Sequence, residues 1–207
     1  MIKQLIPATM LTLILTVLCG LAYPLLMTQV AGNLFPAQAH GSLVSKGNTI
    51  LGSSLIGQTF TKPEYFHPRP SATTTADPQD ATKTVPAPYN AANSSASNAS
   101  FTAKAQVEAV KANADAVKAE NPESAETPVP ADLTTASGSG LDPHISPEGA
   151  KYQAARIADV RRIKAAEIEA LIDAQTENRL FGLFGSPVVN VLRLNLTLDE
   201  RWPLKLN

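Results

Sequence analysis

Apolar and polar positions are distributed in several different ways along this chain. From Leu5 to Val30 the sequence LIPATMLTLILTVLCGLAYPLLMTQV is apolar, and no Asp, Glu, Lys or Arg occurs from Gln4 to Ser45. At about 1.5 Å rise per residue, a helix over residues 5–30 crosses a hydrocarbon layer of about 30 Å. Pro7 sits in the first turn, where its missing N–H costs nothing. Gly20 and Pro24 are tolerated in a membrane helix but favour a bend. Tyr23 stands where an interfacial aromatic belongs. The pattern divides the chain into an anchor, residues 1–30, and a second part, residues 31–207.

Residues 31–66 are glycine-punctuated with short apolar pairs (Leu43-Val44, Ile50-Leu51, Leu55-Ile56), which predicts short strands and turns. Lys62 to Pro70 holds three prolines and the rings of Tyr65 and Phe66, predicting extended backbone that packs those rings on a small core. Residues 72–100 are mostly Ala, Ser, Thr, Asn and Pro, a long polar surface loop, partly mobile, by composition.

Helical spacing follows. Val107, Val110, Ala114 and Val117 share one face of a helix over about 102–119. Ser146 as N-cap, Pro147 at the first position and Glu148 near the positive dipole end predict a helix to about Lys164. Its stripe is Ala150, Ala154, Ile157, Val160 and Ile163, with Arg156, Arg161, Arg162 and Lys164 on a solvated face or a basic contact face. Ile168, Leu171 and Ile172 mark another helix, about 165–176. In Val188–Asp199, Leu192, Leu194, Leu196 and Leu198 alternate with Arg193, Asn195, Thr197 and Asp199, which predicts a strand. The fold class is α+β: one N-terminal transmembrane helix and a single extracytoplasmic domain.

Charge sets the orientation. Lys3 and the amino terminus lie on the short side, and the next basic residue is Lys46. The positive-inside rule places Met1 in the cytoplasm and the second part outside, single-pass. A cleaved signal peptide is the alternative: Gly20-Leu21-Ala22 offers small residues before Tyr23, but Pro24-Leu25-Leu26-Met27 continues the apolar run past that cut. Bulky Leu18 before Cys19 argues against a lipoprotein site. With 17 basic and 18 acidic residues, formal net charge -1, the chain lacks the basic excess of a nucleic-acid binder. Its single cysteine, Cys19, excludes a disulfide scaffold and a zinc ribbon.

Candidate chemistry is sparse. No phosphate-binding loop, dinucleotide fingerprint, zinc-protease helix or nucleophile elbow is present. His40, His67 and His144 lack ligand spacing, so no metal site is expected. The dense polar stretch is Ser137-Gly138-Ser139-Gly140-Leu141-Asp142-Pro143-His144-Ile145-Ser146. Three readings compete for it: an ordered loop held by an Asx turn at Asp142 and the Ser146 cap, contacting a partner; an anion cradle of glycine N–H groups ahead of a helix; or a hydrolase using Ser139, His144 and Asp142, as an extracytoplasmic enzyme. Tyr65, Phe66 and Arg69 are further partner-contact candidates, against an extended edge segment with no partner.

The ordered set of segments GSLV (41–44), IGQTFTKPEYFHPRPSA (56–72), YNAANSSASN (89–98), SGSGLDPHIS (137–146), QAARIADVR (153–161) and FGSPVVNVLRLNLTLD (184–199) resembles the C subunit of the bacterial Kdp potassium-transporting P-type ATPase. The resemblance runs from the membrane segment to Asp199. It departs at Ser95-Ala96-Ser97-Asn98-Ala99, where the family has a Ser-Gly-Ser-Asn-Leu-like turn; Ala96 takes positive φ less readily than Gly, which loosens any role for Asn98 as a partner contact. The resemblance implies a non-catalytic accessory subunit in the bacterial inner membrane. Its implied partners are a P-type ATPase subunit, a channel-like potassium-binding subunit and a small membrane subunit. It implies a role in assembly and as a catalytic chaperone that raises the ATP affinity of the ATPase subunit. ATP and the transported potassium ion are the ligands so implied, with no covalent cofactor. A direct nucleotide role for Ser137, Gly138, Ser139, Gly140, Asp142, His144 and Ser146 conflicts with the charge rule, which places them away from cytosolic ATP. Docking near the potassium entrance of the channel-like subunit fits that rule.

Overall fold

The computed structural model describes residues 2–204, which fall into two compact units that divide between Ser53 and Ser54. The first begins with α1 (Ile2–Val17), which runs through a π-helical turn (Leu18–Ala22) into α2 (Tyr23–Leu34). Lys3–Leu34 is long and apolar enough to cross a membrane, and none of its most apolar stretch is buried. Pro24 explains the wide turn. It lacks an N–H and its ring crowds the preceding turn, and just before it Tyr23 N–H reaches back five residues to the Leu18 carbonyl. A short α3 (Pro36–Ala39) leads into an antiparallel hairpin, β1 (Leu43–Lys46) and β2 (Thr49–Ser53), with a register shift between Val44 and Ser45. The unit boundary thus falls after this hairpin, where hydropathy alone divides the chain at about residue 30.

In the second unit helices outweigh strands, and long irregular segments join them. The polar stretch 72–100 contains a small hairpin, β3 (Thr74–Ala76) with β4 (Thr84–Pro86). Helix α4 (Lys104–Glu120) follows, then single turns at Pro122–Ser124 and Ala131–Leu133. The two-residue strand β5 (His144–Ile145) precedes α5 (Pro147–Tyr152), α6 (Ala154–Arg161) and α7 (Ala165–Gln175). The chain closes with β6 (Val189–Asn190), antiparallel to β5, and α8 (Val191–Arg201). The core joins Phe66 and Ile145 to Ile157 of α6, Ile168, Leu171 and Ile172 of α7, and Leu194 and Leu198 of α8.

Two sequence expectations are corrected. Val188–Asp199 is not a strand: only Val189–Asn190 pairs, and Val191–Arg201 is helix. Val191, Leu194, Asn195 and Leu198 share one helical face and are buried, while Leu196 is only half-buried. The Asn190 side chain accepts the Arg193 N–H at 3.1 Å, an N-cap that the leucine alternation masked. The helix from Ser146 is also broken, at Gln153. That break turns the inward face by one position, so Arg161 is buried and Val160 is exposed. On α4, Val107 faces solvent. Ser146 does cap α5, accepting the Gly149 N–H at 2.9 Å.

Candidate functional site: a clamped proline segment and its polar cleft

The segment Lys62–Arg69 has almost no backbone partners of its own kind, so buried side chains supply them. Asn195 accepts the Phe66 N–H at 2.8 Å and donates to the Phe66 carbonyl at 3.0 Å. Gln153 does the same for His67, at 2.8 and 3.1 Å. Phe66 and His67, just past a turn closed by the Tyr65 N–H on Lys62 O, are thus held by α8 and by the α5–α6 junction, which act as substitute sheet neighbours. Both amides are buried, and each satisfies a donor and an acceptor that would otherwise be orphaned.

Arginines finish the clamp. Arg156 donates to the carbonyls of Pro63 and Tyr65, to Asn121 and to Gln153. The fully buried Arg161 side chain donates to Glu64 O at 2.9 Å, Trp202 O at 2.9 Å and Asp199 Oδ1 at 2.8 Å. Its guanidinium lies 5.2 Å from the centre of the Tyr65 ring, and Tyr65 donates its hydroxyl to Asp199 at 2.9 Å. Burial, then the Asp199 contact, push the Tyr65 phenol up from its ordinary value. Neither expected role of Arg156 and Arg161, solvated face or basic contact face, holds: they are internal clamps, because a planar five-donor fork suits several carbonyls at once.

The clamp delivers Arg69 to Asp142, Nη1 to Oδ2 at 3.0 Å. Asp142 Oδ1 also accepts the His144 N–H at 3.0 Å, the expected Asx turn. Burial alone would raise this carboxyl, but the contacts from His144 and the Arg69 guanidinium outweigh it and hold it below the usual carboxylate range. Within the loop, Ser137 Oγ accepts the Gly140 N–H at 2.9 Å and Ser139 Oγ accepts the Leu141 N–H at 3.1 Å. Gly140 has φ +67°, and a Cβ there would lie 2.5 Å from Ser95 O and 2.7 Å from Thr73 Cγ2. That crowding comes from the polar stretch 72–100 folding onto the loop. Ser71 Oγ donates to Gly140 O at 2.7 Å, Ser94 Oγ to Ser139 O at 3.2 Å, and the buried Thr73 donates to Ala87 O at 2.6 Å. The Tyr89 hydroxyl donates to Arg69 O at 2.8 Å, and burial, then the Asp142 charge, push its phenol far up. The polar stretch is therefore pinned by its Ser, Thr, Asn and Tyr groups.

Between these parts lies an open cleft of about 550 Å³, lined by Leu55, Ile56, Arg69, Ser137, Ser139 and Asp142 among others. Its one arginine is already paired with a carboxylate, so the cleft carries no free positive charge to draw a polyphosphate. Ser139 is hydrogen-bonded to Leu141 and Ser137, whereas His144 faces Asp142 and Asn190. Among the described residues no hydrogen bond joins Ser139 to His144, so no triad is built. Nor, among them, do three or more His, Cys, Asp or Glu side chains gather to hold a metal.

The other candidates separate. Phe66 is wholly buried and offers no contact surface; Tyr65 is half-buried inside the clamp. Asn98 is exposed at φ +50°, and Ala96 is not among the positive-φ residues. The left-handed position thus falls on Asn98, which accepts it more easily than alanine does. Ser146 is tied by its N–H and hydroxyl to Asp132, at 2.6 and 3.1 Å. Asn195, Gln153 and Asp132 were not singled out by sequence. Polar amides at positions facing a helix core were the available signal for the first two.

The sequence model of the KdpC family, described as K+-transporting ATPase, c chain, matches residues 5–200. The chain belongs to the KdpC family. A potassium-transporting ATPase KdpC subunit of Rhodopseudomonas palustris (strain BisB5) is 56% identical over 199 residues, covering 96% of this chain and 98% of the relative. That of Methylorubrum extorquens is also 56% identical, over 200 residues, with 97% and 98% covered. The Bradyrhizobium diazoefficiens subunit is 53% identical over 200 residues, with the same coverage. The match therefore takes in the apolar helix, the proline segment and the polar cleft together.

Proposed function

We propose that this chain is the non-catalytic accessory subunit of a high-affinity, ATP-driven potassium uptake complex in the bacterial inner membrane. The observation that carries the reading is the KdpC match over residues 5–200 on a chain that joins an unburied, membrane-length helix, uncharged beyond Lys3, to a tightly clamped second unit. The amino terminus is cytoplasmic and the second unit extracytoplasmic, as Lys3 and the long uncharged stretch favour. The exposed faces of α1 and α2 pack on lipid and on the membrane subunits. Its partners are the P-type ATPase subunit, the channel-like potassium-binding subunit and the small membrane subunit.

The polar cleft is a partner contact near the potassium entrance, with Arg69, Ser137, Ser139 and Asp142 at its wall. The subunit supports assembly and promotes ATP binding by the catalytic subunit as a catalytic chaperone. That effect passes through subunit contacts, as a coupling between distant sites, because the cleft lacks the free positive charge of a nucleotide site. Protease treatment of sealed membrane vesicles tests the topology. Cleavage within the exposed α4 from the outer side only is expected; cleavage only from the cytoplasmic side would overturn the arrangement and favour direct nucleotide contact.

A further inference from the structure

The turn between α7 and β6 places four large apolar side chains in water. Leu180, Phe181, Leu183 and Phe184 are 62, 85, 76 and 66% exposed. The turn is ordered: Leu180 and Phe184 exchange backbone hydrogen bonds at 2.9 and 3.0 Å, and Leu183 N–H donates to Leu180 O at 3.1 Å. Phe181 has φ +53° and Gly182 φ +73°. Two successive positive-φ residues favour Asn-Gly, and a bulky aromatic there is an outlier held against its own backbone preference. The position therefore presents a phenyl ring where asparagine would build the better turn. No Asp or Glu occurs from Asn178 to Leu198, and Arg179 directly precedes the apolar residues.

We propose that this turn seats on the surface of the bilayer that holds α1 and α2, with its four apolar side chains among the acyl-chain ends and Arg179 at the lipid phosphates. Apolar and aromatic side chains beside a cation are what the headgroup boundary accepts. A patch of this kind on a monomer marks an interaction site. The tether favours lipid as the occupant: residues 35–53 alone separate α2 from the second unit. Even fully extended they reach only about 65 Å, so the turn meets that bilayer at high effective concentration. The inference rests on α1 and α2 being a membrane anchor.

The test uses the full chain in nanodiscs of phosphatidylcholine and phosphatidylglycerol, with a nitroxide on one cysteine at a time. Collision with oxygen is compared with collision with a water-soluble nickel chelate. The native Cys19 reports the anchor, Leu183→Cys in a Cys19→Ser background reports the turn, and Gln79→Cys, on an exposed loop, gives the aqueous reference. Oxygen-favoured values are expected at Cys19 and at Leu183, both clearly above the Gln79 reference. Phe181→Asn with Phe184→Asn should return Leu183 to the aqueous value, and Asn at position 181 suits the turn, so folding is retained. An aqueous Leu183 beside a lipid-buried Cys19 overturns this inference alone; an aqueous Cys19 overturns the anchor as well. Protection of Leu183 only after the other pump subunits are added overturns it in favour of a protein contact.

Discussion

Replacing Asn195 by alanine removes the side chain that satisfies both backbone groups of Phe66, at 2.8 and 3.0 Å. Phe66 and Asn195 are both buried, so water does not readily replace the lost partners. An unsatisfied buried donor or acceptor costs about 1–3 kcal/mol, so Asn195→Ala, which orphans one of each, should cost about 2–6 kcal/mol. That is a large part of the roughly 5–15 kcal/mol that holds a typical domain together. The only tryptophan, Trp202, packs against the core and gives a direct signal for the second unit. Urea titration of the full chain in detergent, followed by Trp202 emission, should show a lower midpoint with an unchanged slope. Gln153→Ala should act in the same direction through His67. The double variant should lose less than the sum, because a released segment offers the second amide nothing to hold. An Asn195→Ala midpoint equal to wild type would mean that ring packing alone retains the segment, and the clamp reasoning would be wrong.

Further outcomes follow from the cleft. Gly140→Ala must place a Cβ at φ +67° against Ser95 and Thr73, and should destabilise by about 1–3 kcal/mol in the same titration while weakening recovery of the assembled complex. Asp142 has its folded pKa depressed, so its stabilising effect is complete above the unfolded value of about 3.9 and is lost as pH falls from there through the folded value; Asp142→Asn should flatten that acid limb of the stability curve. Tyr89 has its folded pKa raised, so its effect is complete below about pH 10 and is lost as pH rises beyond that; Tyr89→Phe should remove that alkaline loss. Ser139→Ala should leave any background ester hydrolysis by the purified chain unchanged, whereas a drop would restore the hydrolase reading.

The parts of the fold legible in the sequence are those where one signal dominates. The uncharged run from Gln4 to Ser45 gives the membrane-length helix, and Ser146-Pro147-Glu148 gives the start of α5, cap included. Ile168, Leu171 and Ile172 are buried together on α7. Leucines at every second position in 192–198 satisfy strand and helix alike over so short a stretch, and the deciding residue was polar. Asn195 fits the alternating pattern as a solvent-facing residue, but in the helix it is the inward group that binds Phe66. The burial of Arg161 escapes the sequence for a related reason: it depends on distant carbonyls, here Glu64 and Trp202, that local periodicity does not reveal. In the cleft, the Asx turn at Asp142 was readable from its own loop, but the pairing with Arg69, 73 residues away, was not.

Affinity capture of the intact chain from native membranes in mild detergent is the most direct test of its assigned role. A P-type ATPase subunit, a channel-like potassium-binding subunit and the small membrane subunit should be recovered with it in fixed ratio, and cells lacking the chain should not assemble an active pump. Recovery of the chain alone, beside a fully assembled pump that transports potassium without it, would contradict the role proposed here.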